Sequence, residues 1–335
     1  MPITLEQSKV GLADHVDQQV IDEFRRDSFI LDRLTFDNAV SPGTGGSTLT
    51  YGYLQLKTPS VAEGRKLNSE YTAGEAVKTQ KTTNLKIFGG AYEVDRVLED
   101  TAASSEIAFQ LAQKIIAVKN KFHYDFINGK STAKGTAATD NTSFDGLDVL
   151  VKGTNTEEKN ADAVFDLSTA AKIKENADAF TFALDSWLST FSVKPDALLV
   201  NRKTATVLKT VAKMQGYYTR SENSFGQGVD NYDGIAIVDM GEYYNGTKSL
   251  MCVPIDDSTG TTNIYAAKFG LDAVHAVSPQ GQKIIRQYMP NLSEPGAVKK
   301  GEVEMIASIV SKDTTKAGVF RNVQVAPVAA AREEK

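Results

Sequence analysis

The sequence is poor in the residues from which catalytic and metal sites are usually built. It contains a single cysteine, Cys252, and three histidines among 335 residues. A single cysteine excludes both an intramolecular disulfide and a zinc site made of cysteines, and is typical of a protein assembled in a reducing cytoplasm. Cys252 lies in the strand-like run 249–255, where we expect a small buried apolar side chain, with a reactive thiol as the alternative.

Signature motifs of enzymes are also missing. His15, His123 and His275 lie far apart and show none of the histidine spacings of metal sites, so we interpret them as structural. The tripeptide at 129–131, Gly-Lys-Ser, resembles the end of a phosphate-binding loop, but Tyr124 stands where that motif requires its first glycine. The sequence therefore predicts a protein that is not an enzyme and holds no cofactor and no metal.

Long apolar runs and an excess of positive charge are absent as well. No segment approaches the ~20 apolar residues of a membrane span, and the first residues lack the basic and apolar regions of a secretory signal. The net charge of -5 and the isoelectric point near 5.4 argue against a protein whose whole surface neutralises nucleic acid. With 41% hydrophobic residues, the chain has enough apolar side chains for one large or two ordinary domains.

The N-terminal region reads as an amphipathic helical arm. Within residues 9–36, four apolar side chains follow each other at four-residue steps: Leu12, Val16, Val20 and Phe24. The run SPGTGGS at 41–47 then predicts a flexible joint. An amphipathic arm needs a surface to lie on, and the sequence leaves open whether that surface belongs to its own domain or to a neighbouring subunit. We name Val16, Val20 and Phe24 as candidate assembly contacts.

A long β-ribbon follows the joint. The runs 48–57 and 79–94 are rich in threonine, tyrosine and alternating apolar residues, which predicts paired strands. The polar insert between them is far longer than the two to five residues of ordinary hairpin loops. Because an isolated two-stranded ribbon is marginally stable in water, we expect a neighbouring subunit to cover its apolar side chains. The candidate contacts in the ribbon are Tyr51, Tyr53, Leu85, Ile87 and Phe88.

The strongest helix signal comes next, over residues 104–128. Ser104 or Ser105 can cap its beginning, and Asn128-Gly129 provides a stop. The apolar stripe Ile107, Leu111, Ile115, Val118, Phe122 and Phe126 keeps to one face of a predicted helix of about seven turns. A helix of about 25 residues is roughly 37 Å long and can support several other elements.

The remaining sequence mixes helices and strands. We predict helices at 168–191 and 203–214, and the predicted strands are 195–201, 232–239, 249–255, 263–276, 283–289, 303–310 and 319–325. The helix–strand alternation is broken at both ends, which favours an α+β fold in two lobes over a repeating βαβ fold. Tyr217, Tyr218 and Arg220 could stack on nucleic-acid bases, but no basic stripe surrounds them, so we interpret them as interface residues.

Taken in order, these elements resemble the major capsid proteins of tailed bacteriophages with the Hong Kong 97-like fold. The segments that carry the likeness are TLEQSKVGLADHVDQQVIDEF, TLTYGYLQLK, KIFGGAYEVDRVLED, SSEIAFQLAQKIIAVKNKFHYDFING, FDGLDVL, DALLVNRKTATVLKTVAKMQGYY and YDGIAIVDM, together with the two later runs KFGLDAVHAVSPQGQKIIRQYMPN and VEMIASIVSKDTTKAGVFRNVQV. The resemblance implies an N-terminal arm at 1–46, an extended loop at 47–95, a first peripheral part at 96–190 with a spine helix at 104–128, an axial domain at 191–270, and a peripheral return with the C-terminal tail at 271–335.

The resemblance also implies a function. It predicts a subunit that assembles with itself into hexamers and pentamers of an icosahedral virion shell, inside the cytoplasm of a host bacterium, around double-stranded DNA that it contacts weakly. A separate scaffolding protein and a portal are the other expected partners, no membrane is involved, and the contacts between subunits are expected to be noncovalent. An encapsulin-type nanocompartment shell and, from another class, a small-molecule enzyme without a recognisable motif are the alternatives.

Overall fold

The structure, a computed structural model, describes residues 28–38, 49–58, 60–71, 74–101, 105–131, 142–160, 165–222, 228–279 and 284–327. The helices in this part of the chain are α1 (Phe29–Arg33), α2 (Arg96–Thr101), α3 (Glu106–Asn128), α4 (Leu147–Leu150), α5 (Ala170–Leu188) and α6 (Arg202–Gln215). The strands are β1 (Phe36–Asn38), β2 (Thr50–Thr58), β3 (Val77–Asn84), β4 (Lys86–Asp95), β5 (Glu157–Glu158), β6 (Phe165–Asp166), β7 (Ala197–Val200), β8 (Tyr218–Glu222), β9 (Gly228–Tyr232), β10 (Ile235–Asp239), β11 (Glu242–Tyr244), β12 (Ser249–Met251), β13 (Thr261–Ala267), β14 (Val274–Ser278), β15 (Ile285–Tyr288), β16 (Val298–Ser311) and β17 (Ala317–Gln324).

A smaller sheet is built around the long strand β16. Its order is β1–β14–β16–β15, and β4 also pairs with β16, antiparallel, from Val298↔Asp95 to Ala307↔Lys86. Helix α3 packs on this sheet through aromatic side chains: the rings of Phe88 on β4 and Phe122 on α3 are stacked with centroids 6.3 Å apart. The sheet and the helix thus share one apolar core.

Helix α3 matches its prediction closely. Ser105 caps its beginning by accepting a hydrogen bond from the Ala108 N–H, and the Glu99 carboxylate accepts two more from the first turn. These bonds satisfy N–H groups that have no partner inside a helix. Of the predicted apolar stripe, Ile107, Ile115, Val118, Phe122 and Phe126 are buried and Leu111 is half-buried. The helix ends at Asn128, followed by the capping residue Gly129, as predicted.

A larger sheet forms the second body, in the order β5–β17–β13–β7–β10–β9–β8, with β6 also pairing with β17. Strands β7 and β10 are parallel and α6 lies in the chain segment that connects them. Helices α5 and α6 cover one face, where Phe180, Trp187, Leu208 and Val211 share a core with the strands. Helix α5 and strand β17 therefore belong to the body of the larger sheet, and the predicted domain boundaries remain a prediction.

Two predicted strands turn out to be pairs of strands. The segment 232–239 contains the end of β9 and all of β10, joined by a turn in which Asp233 and Gly234 have φ of 46° and 75°. The segment 263–276 contains β13 and β14, which lie in different sheets. Between them the chain is held by the Asp196 carboxylate, which accepts hydrogen bonds from the Lys268 ammonium (2.6 Å) and the Phe269 N–H (2.9 Å).

The cysteine prediction agrees with the structure. Only residues 249–251 of the predicted strand at 249–255 form a strand, β12, but Cys252 directly after it is fully buried. Burial raises the pKa of the Cys252 thiol to about 12, with smaller contributions from the nearby carboxylates Asp239 and Glu242. Because only the thiolate is a strong nucleophile, this side chain is unreactive at neutral pH.

Candidate assembly surfaces

The predicted ribbon is formed by β2 and β3, which pair antiparallel from Thr50↔Asn84 to Thr58↔Val77. The second predicted run, 79–94, spans two strands, because the chain leaves the ribbon at Leu85 and continues as β4 of the smaller sheet. The described residues between β2 and β3 contain no helix or strand. They form the tip of the ribbon, which we define as residues 60–71 and 74–76.

The base of the ribbon lies on its own subunit. Tyr53 and Leu85 are buried together with Val277 of β14 and Val310 of β16. The Tyr51 hydroxyl donates a hydrogen bond of 2.7 Å to the Asp37 carboxylate. Burial and this bond both raise the pKa of Tyr51, so the phenol stays protonated. The smaller sheet therefore supplies the cover that the base needs.

This arrangement differs from the expectation that all five ribbon candidates lie open to a neighbour. Tyr53, Leu85 and Phe88 are at most 8% exposed because their own sheet covers them, and Tyr51 is half-buried. Ile87 is 52% exposed, since it points to the opposite face of β4 from Phe88. Among the five, Ile87 remains a contact candidate with a largely exposed side chain.

The sequence reasoning missed the most exposed apolar side chains of the ribbon. Leu67 is 91% exposed, and Leu54, Val61 and Tyr71 are each 61% to 70% exposed. The sequence did contain a signal for their exposure. Leu54 is next to Tyr53 in the strand and so points to the opposite face, and the other three are isolated apolar residues in the polar insert. Apolar side chains this exposed on a protruding element are typical of surfaces that bind another protein.

Local contacts shape the tip. The Ser69 N–H and hydroxyl both donate to the Lys66 carbonyl, at 3.2 Å and 2.8 Å, and Asn68 adopts a positive φ of 65° within this turn. The Arg65 guanidinium donates to the Ser69 carbonyl and lies 5.5 Å from the centre of the Tyr71 ring. These contacts stay within the tip and leave Leu67 pointing into solvent.

The predicted arm contacts Val16, Val20 and Phe24, like the predicted joint at 41–47, lie outside the described residues. The described chain begins at Ser28, whose hydroxyl caps α1 by accepting from the Leu31 N–H. The same hydroxyl lies 2.7 Å from Nε2 of His123 on α3. Both residues are buried, so this hydrogen bond fixes the point at which the N-terminal segment joins the folded body.

This anchor should be sensitive to acid. Burial, with a smaller contribution from the Lys119 charge, lowers the pKa of His123 to about 4. The unfolded chain takes up this proton near pH 6.5 and the folded chain does not, so stability is lost as the pH falls. We expect about 2 kcal/mol less stability at pH 5 than at pH 7 from this residue. Comparing urea unfolding of the protein and of His123→Gln at both pH values measures it, and equal losses in the two proteins would contradict it.

The third group of predicted assembly contacts, Tyr217, Tyr218 and Arg220, lies at the hairpin of β8 and β9. Tyr217 packs edge-on against Tyr232, with ring centroids 5.7 Å apart, and is 41% exposed. The Tyr218 hydroxyl donates to Asp230, which also pairs with Lys209 at 2.7 Å. Arg220 is exposed on β8. The structure thus brings these residues together at one edge of the larger sheet and leaves their role as contacts a prediction.

No group of histidine, cysteine and carboxylate side chains suited to a metal ion occurs among the described residues. Within the same part of the chain, no helix is both long and apolar enough to cross a membrane.

Comparison with known proteins gives a consistent family and fold. A family model described as SU10 major capsid protein matches residues 27–242. The SrpI encapsulin from Synechococcus elongatus PCC 7942 has a TM-score of 0.57 at 15% identity, over 91% of this chain and 90% of that chain. The capsid of a native GTA particle gives a TM-score of 0.54 at 11% identity, over 89% and 90%.

A third solved structure, from Mycobacterium phage Bobi, gives a TM-score of 0.51 at 12% identity over 90% of this chain and 91% of that chain. These similarities confirm the predicted Hong Kong 97-like fold. A search of curated proteins found no match to the sequence.

Proposed function

The chain belongs to the SU10 major capsid protein family, and from this premise we propose that its subunits build a closed icosahedral shell by laying the ribbon tip of each subunit on the next one. The observation that carries this proposal is the exposure of Leu67, Val61 and Tyr71 on a ribbon whose base is already docked. The base fixes the direction of the ribbon, and the tip presents apolar side chains that lack cover within the described subunit. A neighbouring copy would bury them.

A ribbon that is fixed at its base and bound to a neighbour at its tip suits the geometry of such a shell. A shell of hexamers and pentamers places one chain in slightly different environments, so rigid bodies must be joined by contacts that tolerate small changes of angle. A ribbon fixed at its base and held to a neighbour by its tip meets that requirement. Each contact can be modest, because a subunit that is held at several faces dissociates only when all of them release.

The further partners follow from the family. We propose a separate scaffolding protein, a portal, and packaged double-stranded DNA that the shell contacts weakly. The net charge of -5 supports weak contact, since a shell that neutralised many phosphates would bind DNA tightly and in a salt-dependent manner. The proposal includes a structural role without catalysis, assembly in the host bacterial cytoplasm, and a final location in the virion.

Microscopy of the purified chain tests this function. We expect negative-stain images to show closed shells, and light scattering to show particles far larger than a small oligomer. A uniform population of small oligomers under a range of salt and protein concentrations would contradict the proposal and favour the alternative of a small-molecule enzyme.

A nanocompartment shell is the second candidate, because the encapsulin similarity shows that the fold alone does not separate the two functions. The match to a capsid protein family favours the virion shell. Mass spectrometry of particles isolated from producing cells distinguishes them: portal and tail proteins with DNA are expected for a virion, whereas a single cargo enzyme would indicate a nanocompartment.

A further inference from the structure

Helix α3 carries a second apolar face that the described chain covers only in part. With 3.6 residues per turn, Phe109, Ala112, Ile116 and His123 lie within about 60° of each other around the helix axis, and their centre is about 120° from the centre of the core stripe. Phe109 is 56% exposed and Ile116 is 42% exposed, and Ala112 is exposed as well. We call Phe109, Ala112 and Ile116 the outer stripe of α3.

The same face is covered at its C-terminal end. Ser28, the residue before α1, bonds to His123, and Ile30 and Leu31 of α1 are buried in the core that α3 shares with the smaller sheet. His123 is 9% exposed as a result. The cover therefore stops about two turns short of Ile116, at the Ser28–His123 hydrogen bond.

We propose that residues 12–24 of the same subunit continue this cover by lying along the outer stripe of α3. This segment carries the four-residue apolar pattern of an amphipathic helix, with Leu12, Val16, Val20 and Phe24 on one face. As a helix it spans about 18 Å from Leu12 to Phe24. The distance from His123 back to Phe109 is about 21 Å along α3, so the lengths match.

The tether favours one of the two surfaces that the sequence left open for the arm. Phe24 is four residues from Ser28, so its Cα lies at most about 14 Å from the Cα of Ser28, whose side chain bonds to His123. Ile116 is about 10 Å from His123 along the same helix, which places the outer stripe of its own subunit within reach. A neighbouring subunit could receive the segment only if its own stripe lay as close to Ser28.

Disulfide trapping tests the proposal on full-length subunits and does not require shells to form. We choose Val20→Cys combined with Ile116→Cys, and a second pair, Val20→Cys with Ala112→Cys, placed one turn along. Two pairs are needed because a disulfide forms only when the Cβ atoms are about 4 Å apart. The native Cys252 can stay in place, because it is fully buried and burial raises its pKa to about 12.

We expect one of the two pairs to form a disulfide within a single chain, visible as a shifted monomer band on a non-reducing gel and as the loss of two thiols. A tethered segment has an effective concentration near ~1 mM, so this reaction should be roughly 100-fold faster than bonding between subunits at ~10 μM. The control pair is Val20→Cys with Phe182→Cys, because Phe182 is 78% exposed but lies on α5. Disulfide-linked dimers as the main product, or no excess over the control pair, would overturn the proposal.

Amide hydrogen exchange provides a second measurement that does not depend on cysteine geometry. In the proposal, residues 12–24 are protected by docking, and the double variant Phe109→Asp with Ile116→Asp removes the apolar surface that holds them. Exchange across 12–24 should then become about tenfold faster or more, while Phe182→Asp leaves it unchanged. Equally fast exchange of this segment in the unmodified protein and in the double variant would show that it does not dock on α3.

Discussion

Replacing Leu67 with Asp is expected to leave a folded subunit that no longer closes shells. Leu67 is 91% exposed, so the substitution should change the free energy of unfolding by less than about 0.5 kcal/mol. In a shell the same side chain would be buried by a neighbour, where a leucine contributes about 1.5–3 kcal/mol and an unpaired carboxylate is unfavourable. Each contact should weaken by roughly 10-fold to 100-fold, and the loss recurs at every subunit.

Thermal unfolding of the subunit and microscopy of assembly reactions measure the two halves of this prediction. Leu67→Met is the matched control, since it keeps an apolar side chain of similar size and should still give shells. Tyr53→Asp is the opposite control: Tyr53 is 7% exposed at the base of the ribbon, so this variant should lower the stability of the subunit itself. Normal shells from Leu67→Asp at the usual protein concentration would show that the tip is not a contact.

The local sequence predicts some features of the ribbon and not others. Alternating residues predicted the paired strands β2 and β3, and the long insert predicted a protruding tip. Which side chains are covered depends on β14 and β16, about 190 residues or more later in the chain. A local sequence pattern carries no information about strands so far along the chain. Tyr53 and Leu85 were therefore predicted to contact a neighbour, although their own sheet buries them.

The errors in the predicted strand boundaries are only partly of this kind. The dipeptide Asp233-Gly234 is a strong hairpin signal, so the division between β9 and β10 could have been predicted from the sequence. The division between β13 and β14 has a local signal in Gly270, which lies in a turn where the Ala273 N–H donates to the Gly270 carbonyl. The contact that also holds this segment is not local, since Asp196 lies more than 70 residues earlier and accepts hydrogen bonds from Lys268 and Phe269.

The end of α3 combines a feature that the sequence predicted with one that it did not. Asn128-Gly129 predicted the stop, but Gly129 has φ of -56° and is not in the left-handed conformation that usually explains a glycine at this position. Glycine is required here because another part of the chain passes close to it: a Cβ on Gly129 would lie 2.3 Å from the Phe144 carbonyl oxygen. The chain returns to the end of the helix, where the Gly146 N–H donates to the Gly129 carbonyl at 2.9 Å.

Gly146→Val is therefore expected to destabilise the subunit by about 3 kcal/mol or more, among the largest effects of a single substitution. A Cβ on Gly146 would lie 2.6 Å from the carbonyl oxygens of both Asp125 and Ile127, and these backbone atoms cannot move without opening the last turn of α3. Urea unfolding of the subunit measures the loss. Gly64→Val is the control, because a Cβ there meets no atom within 4 Å. Equal stability of the two variants would mean that the return of the chain to the helix end is not rigid, and that α3 keeps its length without this contact.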